Sequence, residues 1–328
     1  MQSKHYLVTG GTGFIGAALV LRLLKEGHRV RVLDNNSRGA ERRLGKAVAD
    51  VELIVGDIRD PECVARATDG VDAVHHLAFV NGTENFYKHP DLVLEVGAKG
   101  MINVVDACIA EGVQELIVAS SSEVYQTPPQ VPTDESAPLI VPDLMNPRYS
   151  YGGGKLFSEL YAVNVAAHRL DKVLLYRPHN VYGPDMGFEH VVPQFAVRMK
   201  RLAGETPEGP LSFTIQGTGT ETRSFCYIDD FVDGLLIVQD RGVSGNLYHI
   251  GTMEEVEIAD VARRIAGVLG RDIEIVTSPI LAGSTPRRCP EIGKLAALGF
   301  NPKVSLSAGL VPTCQWYFDN MELTPHGQ

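Results

Sequence analysis

The chain has 328 residues, 44% of them hydrophobic and 21% charged, a composition that can bury a large core and excludes a disordered protein. Its 30 Lys+Arg against 40 Asp+Glu leave a formal net charge of -10, which repels a polyanion and argues against nucleic acid as a main partner. Five scattered cysteines without a C-x-x-C pair argue against both a disulfide framework and a zinc site.

The chain enters a strand pattern at His5 with no charged-then-apolar leader, and no apolar run reaches the roughly 18 to 20 residues of a membrane span. A soluble, cytoplasmic protein with no membrane partner is expected. Short apolar runs over 6–8, 29–33, 51–55, 73–77, 115–119 and 173–176 read as strands. Amphipathic patterns over 13–26, 61–67, 90–111 and 150–168 read as the helices between most of them. This alternation predicts an α/β fold, a Rossmann-type doubly wound parallel sheet. After Tyr182 the pattern loosens through a Pro/Gly-bearing segment to Gly219. A helix start at 229–235, a helix over 258–269, a strand over 273–276 and a C-terminal helix follow. The expected organisation is a dinucleotide-binding domain over 1–182 plus about 221–250. A smaller substrate domain over about 183–220 and 251–328 would lie at the carboxyl edge of the sheet.

Directly after the first strand stands Thr9-Gly10-Gly11-Thr12-Gly13-Phe14-Ile15-Gly16, opening the first helix. The glycines permit a tight turn and close approach of a pyrophosphate to backbone N–H groups at a helix N-terminus. Asp34 ends the second strand 18 residues after Gly16, where a carboxylate would bind a ribose diol and repel a 2′-phosphate. NAD is therefore favoured over NADP, although the nearby Arg38 could meet that phosphate. Asp57, with Ile58 after it, ends the third strand and could hold the adenine edge or simply be a solvated loop aspartate. His75 and His76 read as packing residues or cofactor contacts, not metal ligands, and no metal is expected.

In Arg148-Tyr149-Ser150-Tyr151-Gly152-Gly153-Gly154-Lys155, a tyrosine and a lysine four apart would share one helix face, but each intervening glycine costs about 1 kcal/mol of helix propensity relative to alanine. Either this is a loop, or packing holds Tyr151 over Lys155.

Six motifs in order give the chain a resemblance to the extended short-chain dehydrogenase/reductases, specifically the NAD-dependent nucleotide-sugar epimerases, dehydratases and decarboxylases. They are the glycine turn, Ser120 to Tyr125, Tyr151-x-x-x-Lys155, Arg177 to Pro184, Arg223 to Asp230 and Arg288 to Lys294. The resemblance covers almost the whole chain. It implies NAD along Gly10, Gly13, Phe14, Ile15, Gly16, Asp34, Asp57, Ile58, Leu77 and Ala78, with Tyr151 and Lys155 beside the nicotinamide. It makes Tyr151 the acid/base at a sugar hydroxyl, Ser121 its relay and Lys155 the charge that eases phenol ionisation. Glu123 would be an acid or base near C5, or else an outward-facing structural residue. Ser122 stands where 4,6-dehydratases often carry an aspartate. Asn180 and Val192 would border the nucleotide sugar, and Arg223 and Arg288 would grip the diphosphate.

Two features depart from the family pattern: the triple glycine, and Gly97 where an asparagine is usual. The expected activity is epimerisation at C4 through a 4-keto-sugar, with Glu123 keeping dehydration or UDP-glucuronate-type decarboxylation as alternatives. A non-catalytic NAD-binding sensor is the remote alternative, and a homodimer is implied.

Overall fold

The six strands read before Tyr182 form one sheet with a seventh, Asn246–Ile250, and the strand read over 273–276 forms as Ile273–Ser278 beside Leu211–Gln216. The computed structural model describes residues 3–279 and 285–325, so positions 280–284 and 326–328 of the expected substrate domain lie outside the described residues. Strands β1 (His5–Thr9), β2 (Arg29–Asp34), β3 (Glu52–Val55), β4 (Ala73–His76), β5 (Glu115–Ala119) and β6 (Lys172–Pro178) pair in parallel in the order β6-β5-β4-β1-β2-β3. The strand Asn246–Ile250 adds in parallel beside β6. Their runs of Val, Leu and Ile do not alternate with polar residues because helices cover both faces of the sheet.

The helices are α1 (Phe14–Lys25), α2 (Pro61–Thr68), α3 (Thr83–Lys88), α4 (Pro90–Glu111), α5 (Ser150–Asn164), α6 (Val191–Glu205), α7 (Ile228–Arg241) and α8 (Ile258–Val268), with a terminal helix at Leu306–Asp319. One face of the sheet packs against α1 and α7 through Leu19, Leu23, Phe231 and Leu235. The other packs against α2, α4 and α5 through Val64, Met101, Val104 and Ala162. A third core joins α6, α8, the terminal helix and the strand Leu211–Gln216, which alternates buried and exposed residues as a half-covered strand must. Helix ends carry the expected chemistry. Asp60 caps α2 by accepting from the Glu62 and Cys63 amides, and Gly112 ends α4 in the left-handed region at φ 68°.

Chain order reverses between β1 and β4: β2 and β3 extend the sheet one way, β5 and β6 the other. The crevice at the carboxyl ends of these two strands is where such sheets bind ligands. Helix α6 was not legible as a helix, because Pro193 interrupts its apolar start. Proline is tolerated there because first-turn N–H groups have no intrahelical partner. Helix α3 and the 3-10 turns of Glu41–Asp50, broken at Gly45, were likewise missed, being too short for a periodic signal.

Candidate active site

The turn after β1 is shaped by close approach. Gly10 has φ 73°, and a Cβ there would lie 2.9 Å from the Ala78 amide nitrogen, where the segments after β1 and β4 cross. A Cβ on Gly16 would collide with the Gly10 carbonyl. The turn leading into α1 is therefore glycine-lined, and its N-cap is Gly13, so the helix end is open to a pyrophosphate. A cavity of about 140 Å³ beside it is lined by Gly10, Gly13, Asp34, Asp57, Ile58, Leu77 and Ala78 among others. Phe14, Ile15 and Gly16 lie on α1 outside that lining, with Phe14 and Ile15 packed against the core.

Asp34 is buried and accepts the Thr12 amide at 3.0 Å and the Asn36 amide at 2.9 Å, so its carboxylate is fixed against the turn. Asp57 accepts from the Arg59 guanidinium at 2.8 Å, and that hydrogen bond holds its carboxyl below the usual range. Arg38 pairs with Glu189 at 3.0 Å, which occupies the charge that could meet a 2′-phosphate. The glycine cradle and the buried carboxylate fit NAD.

The triple glycine is helical, lying in the first turns of α5. A Cβ on Gly152 would lie 2.6 Å from Gln126 Nε2 and 3.1 Å from the Glu123 carbonyl, so the short turn Ser122–Tyr125 presses directly on α5. A Cβ on Gly154 would lie 3.1 Å from the Phe79 ring, whereas one on Gly153 would meet only Val141 at 3.7 Å. Two of the three glycines thus answer to close packing. Gly97 has the same cause: its Cβ would lie 2.5 Å from Phe79 Cζ.

Tyr151 and Lys155 are both buried. Burial pushes the Tyr151 phenol up to about 12; the Ser121 hydroxyl and the Arg38 charge act to lower it, and Glu123 to raise it. The Lys155 ammonium donates to the Ala119 carbonyl at 2.6 Å and lies over the Phe79 ring, and burial brings its pKa down to about 7. Ser121 also caps the following turn, accepting the Glu123 amide at 3.1 Å.

Phe79, which meets the Tyr151 ring edge-on, lines the 140 Å³ cavity, and Glu123, whose charge bears on the Tyr151 phenol, lines a larger one; Ser121, Tyr151 and Lys155 lie outside both linings. That second cavity, of about 640 Å³, is lined by Glu123, Asn180, Val192, Arg223 and Arg288, all singled out from sequence. Glu123 and Arg288 pair at 2.6 Å, and this cation is the main cause of a depressed Glu123 pKa. Arg223, anchored on the Thr222 and Thr285 carbonyls, is brought down to about 10 by burial and then by the like charge of Arg288. Two guanidiniums held together under mutual repulsion favour an anion between them. Ser122 is buried and lies outside the cavity lining.

His75 bonds Gln239 at 3.0 Å and His76 bonds Thr9 at 2.9 Å inside the sheet, both with pKa values lowered by burial, so they are packing residues. Among the described residues, no three His, Cys, Asp or Glu side chains group as a metal site, and no helix is long and apolar enough to cross a membrane. Sequence reasoning missed Phe79, Phe86, Arg148, Glu189 and Arg198. Phe79 left an indirect signal in the two unexplained glycine positions, 97 and 154.

The sheet, the glycine turn and the Tyr151–Lys155 helix together define an extended short-chain dehydrogenase/reductase fold. The model of the NAD dependent epimerase/dehydratase family matches residues 6–251, so the chain belongs to that family, and its cofactor is NAD. It is 30% identical to the UDP-N-acetyl-alpha-D-glucosaminuronate decarboxylase of Bacillus cytotoxicus, over 96% of this chain and 98% of that protein. It is 31% identical to the UDP-glucose 4-epimerase of Mycolicibacterium smegmatis, over 95% of this chain and 97% of that protein. The crystal structure of a double mutant of dTDP-glucose 4,6-dehydratase from Streptomyces venezuelae, with NAD bound, superposes with a TM-score of 0.84 at 30% identity over 99% of both chains.

Proposed function

We propose that this protein epimerises C4 of a nucleotide-linked sugar through a transient 4-keto-sugar. The observation that carries the reading is the burial of the Tyr151 phenol beside the Ser121 hydroxyl and in the field of Glu123, which lines the 640 Å³ cavity. NAD held along the glycine turn supplies the hydride acceptor and donor. Tyr151 takes the proton of the C4 hydroxyl with the Ser121 hydroxyl beside it, and Lys155, with one N–H on Ala119, keeps others for the ribose hydroxyls. Arg223 and Arg288 tether the diphosphate while the cavity leaves the sugar room to present its opposite face, which inversion requires. Glu123, held ionised by Arg288, is a poor proton donor, which argues against acid-assisted loss of water.

One observation favours decarboxylation as a second reading. Arg148 lines the same cavity and, among the described residues, its guanidinium has no hydrogen-bond or ion-pair partner, so it could take a sugar carboxylate. Incubating the protein with UDP-, GDP-, ADP-, CDP- and dTDP-sugars and reading mass and stereochemistry tests both. Unchanged mass with inversion at C4 is expected; loss of carbon dioxide or of water overturns epimerisation. The exposed Leu94 on α4 and Leu160 and Val163 on α5 support a homodimer through these helices, which light scattering tests.

A further inference from the structure

Phe79 follows β4 and lines the cofactor cleft. Its ring meets both the Lys155 ammonium and the Tyr151 ring. The Lys155 ammonium lies 4.0 Å from the ring centroid, and the Tyr151 ring meets it edge-on at 5.2 Å and 87°. The tip of the ring sits where side chains on Gly97 and Gly154 would be, with hypothetical Cβ atoms at 2.5 and 3.1 Å from Cζ. Phe86 of α3 stacks on Tyr151 at 4.9 Å, closing an apolar cluster with Phe79, Val80 and Val93. An aromatic ring of this size fits only because two helices, α4 and α5, both present glycine to it.

We propose that Phe79 is a positioning residue: its ring, seated between Gly97 and Gly154, holds the Lys155 ammonium by a cation–π contact and fixes the Tyr151 ring against it. The surroundings of Lys155 leave this task to the ring. The charged and titratable groups near the ammonium are Tyr151 and Glu159 on α5 and His76 on β4. Glu159 is committed to Arg177, whose Nε donates to it at 2.7 Å, and His76 stays neutral, its pKa lowered to about 3 by burial. Besides the Ala119 carbonyl of β5 and the more distant charge of Glu159, the negative face of Phe79 is what stabilises this desolvated cation at contact. An ammonium so held keeps its charge against the burial that lowers its pKa, and has a third N–H left over for the cofactor.

This deepens the epimerase reading but does not depend on the sugar, because binding of NAD can be read without substrate. The test replaces Phe79 by a ring-fluorinated phenylalanine, which keeps its shape and drains the ring face, alongside Phe79→Leu. NAD affinity is measured by calorimetry across pH, with thermal unfolding as a check on the fold. The expected result is NAD binding weakened several-fold and lost at lower pH than in the wild type. The alkaline limb of turnover should move the same way once a substrate is found. Gly97→Ala, by displacing the ring, should reproduce the loss, and Phe79→Ala/Gly97→Ala should be no worse than Phe79→Ala alone. A fluorinated variant that binds NAD like the wild type at every pH, or additive losses in the double variant, would reduce Phe79 to a space-filling residue and overturn the proposal.

Discussion

Glu123 and Arg288 pair at 2.6 Å in the lining of the larger cavity although 165 residues separate them in sequence. The pair ties the turn after β5 to a short strand of the substrate side, and it divides the charge of an arginine that a diphosphate would also claim. Replacing Glu123 by Gln removes the competing carboxylate. Nucleoside diphosphate affinity, measured by calorimetry, should rise several-fold, and epimerisation should survive because the proton of the C4 hydroxyl goes to Tyr151 in the proposed reaction. An activity that depends on Glu123 as a base at C5 would instead disappear in the same variant.

Tyr151→Phe keeps the ring contacts with Phe79 and Phe86 and removes only the hydroxyl. Turnover should fall by about 10²- to 10⁴-fold, the usual worth of a positioned acid/base, with NAD affinity unchanged. Stopped-flow detection of cofactor reduction with the substrate found in the nucleotide-sugar panel measures it. Retention of full turnover would move the acid/base role elsewhere.

The triple glycine gives a contrast within one helix. Gly153→Ala adds a methyl group with only Val141 at 3.7 Å, so it should stabilise the fold by up to about 1 kcal/mol through helix propensity and a less flexible unfolded chain. Gly152→Ala drives a methyl group into Gln126 and the Glu123 carbonyl, and should lower both thermal stability and turnover by pushing the Ser121–Glu123 turn off its place. Thermal denaturation of the two variants decides it. If both raise the melting temperature, the close approach of the turn is not what selects glycine at position 152.

The parts of the site that repeat in sequence were legible, and the parts made by tertiary contact were not. The β/α alternation, the glycine turn, Asp34 and the Tyr151-x-x-x-Lys155 spacing each carry their signal within a few residues. The reason for Gly97, Gly152 and Gly154 could not be read, because Phe79 and the Ser121–Gln126 turn reach them across the sheet from other segments. Nor could spacing show that the Lys155 ammonium would meet the Ala119 carbonyl and the Phe79 ring. Helix α6 failed for a local reason, a proline where a first turn tolerates one.

Lys155 gives stability a pH dependence of known sign. Its pKa is 10.5 in a model chain and about 7 when folded, so between these values the unfolded chain binds a proton that the native chain does not. Its burial therefore costs most below pH 7, and the cost shrinks as pH rises toward 10.5. Lys155→Met removes the effect. The melting temperature of the variant, relative to the wild type, should be most favourable on the acid side of neutrality and decline as pH rises. A difference that does not vary with pH would mean that Lys155 titrates normally.

Cofactor choice rests on Arg38 being occupied. Its guanidinium pairs with Glu189 at 3.0 Å, and Asp34 lines the same cleft. Asp34 itself is an unsuitable handle, because it accepts the Thr12 and Asn36 amides and its removal would unmake the turn along with the selectivity. Glu189→Gln leaves the turn intact and releases Arg38. NADP affinity should then rise several-fold at low salt while NAD affinity stays the same. Both partners of the pair are partly exposed, so salt should erase much of the gain. Calorimetric titration of both cofactors at two ionic strengths separates the outcomes. If NADP binding does not change, Asp34 alone excludes the phosphate and the Arg38–Glu189 pair only joins the two segments.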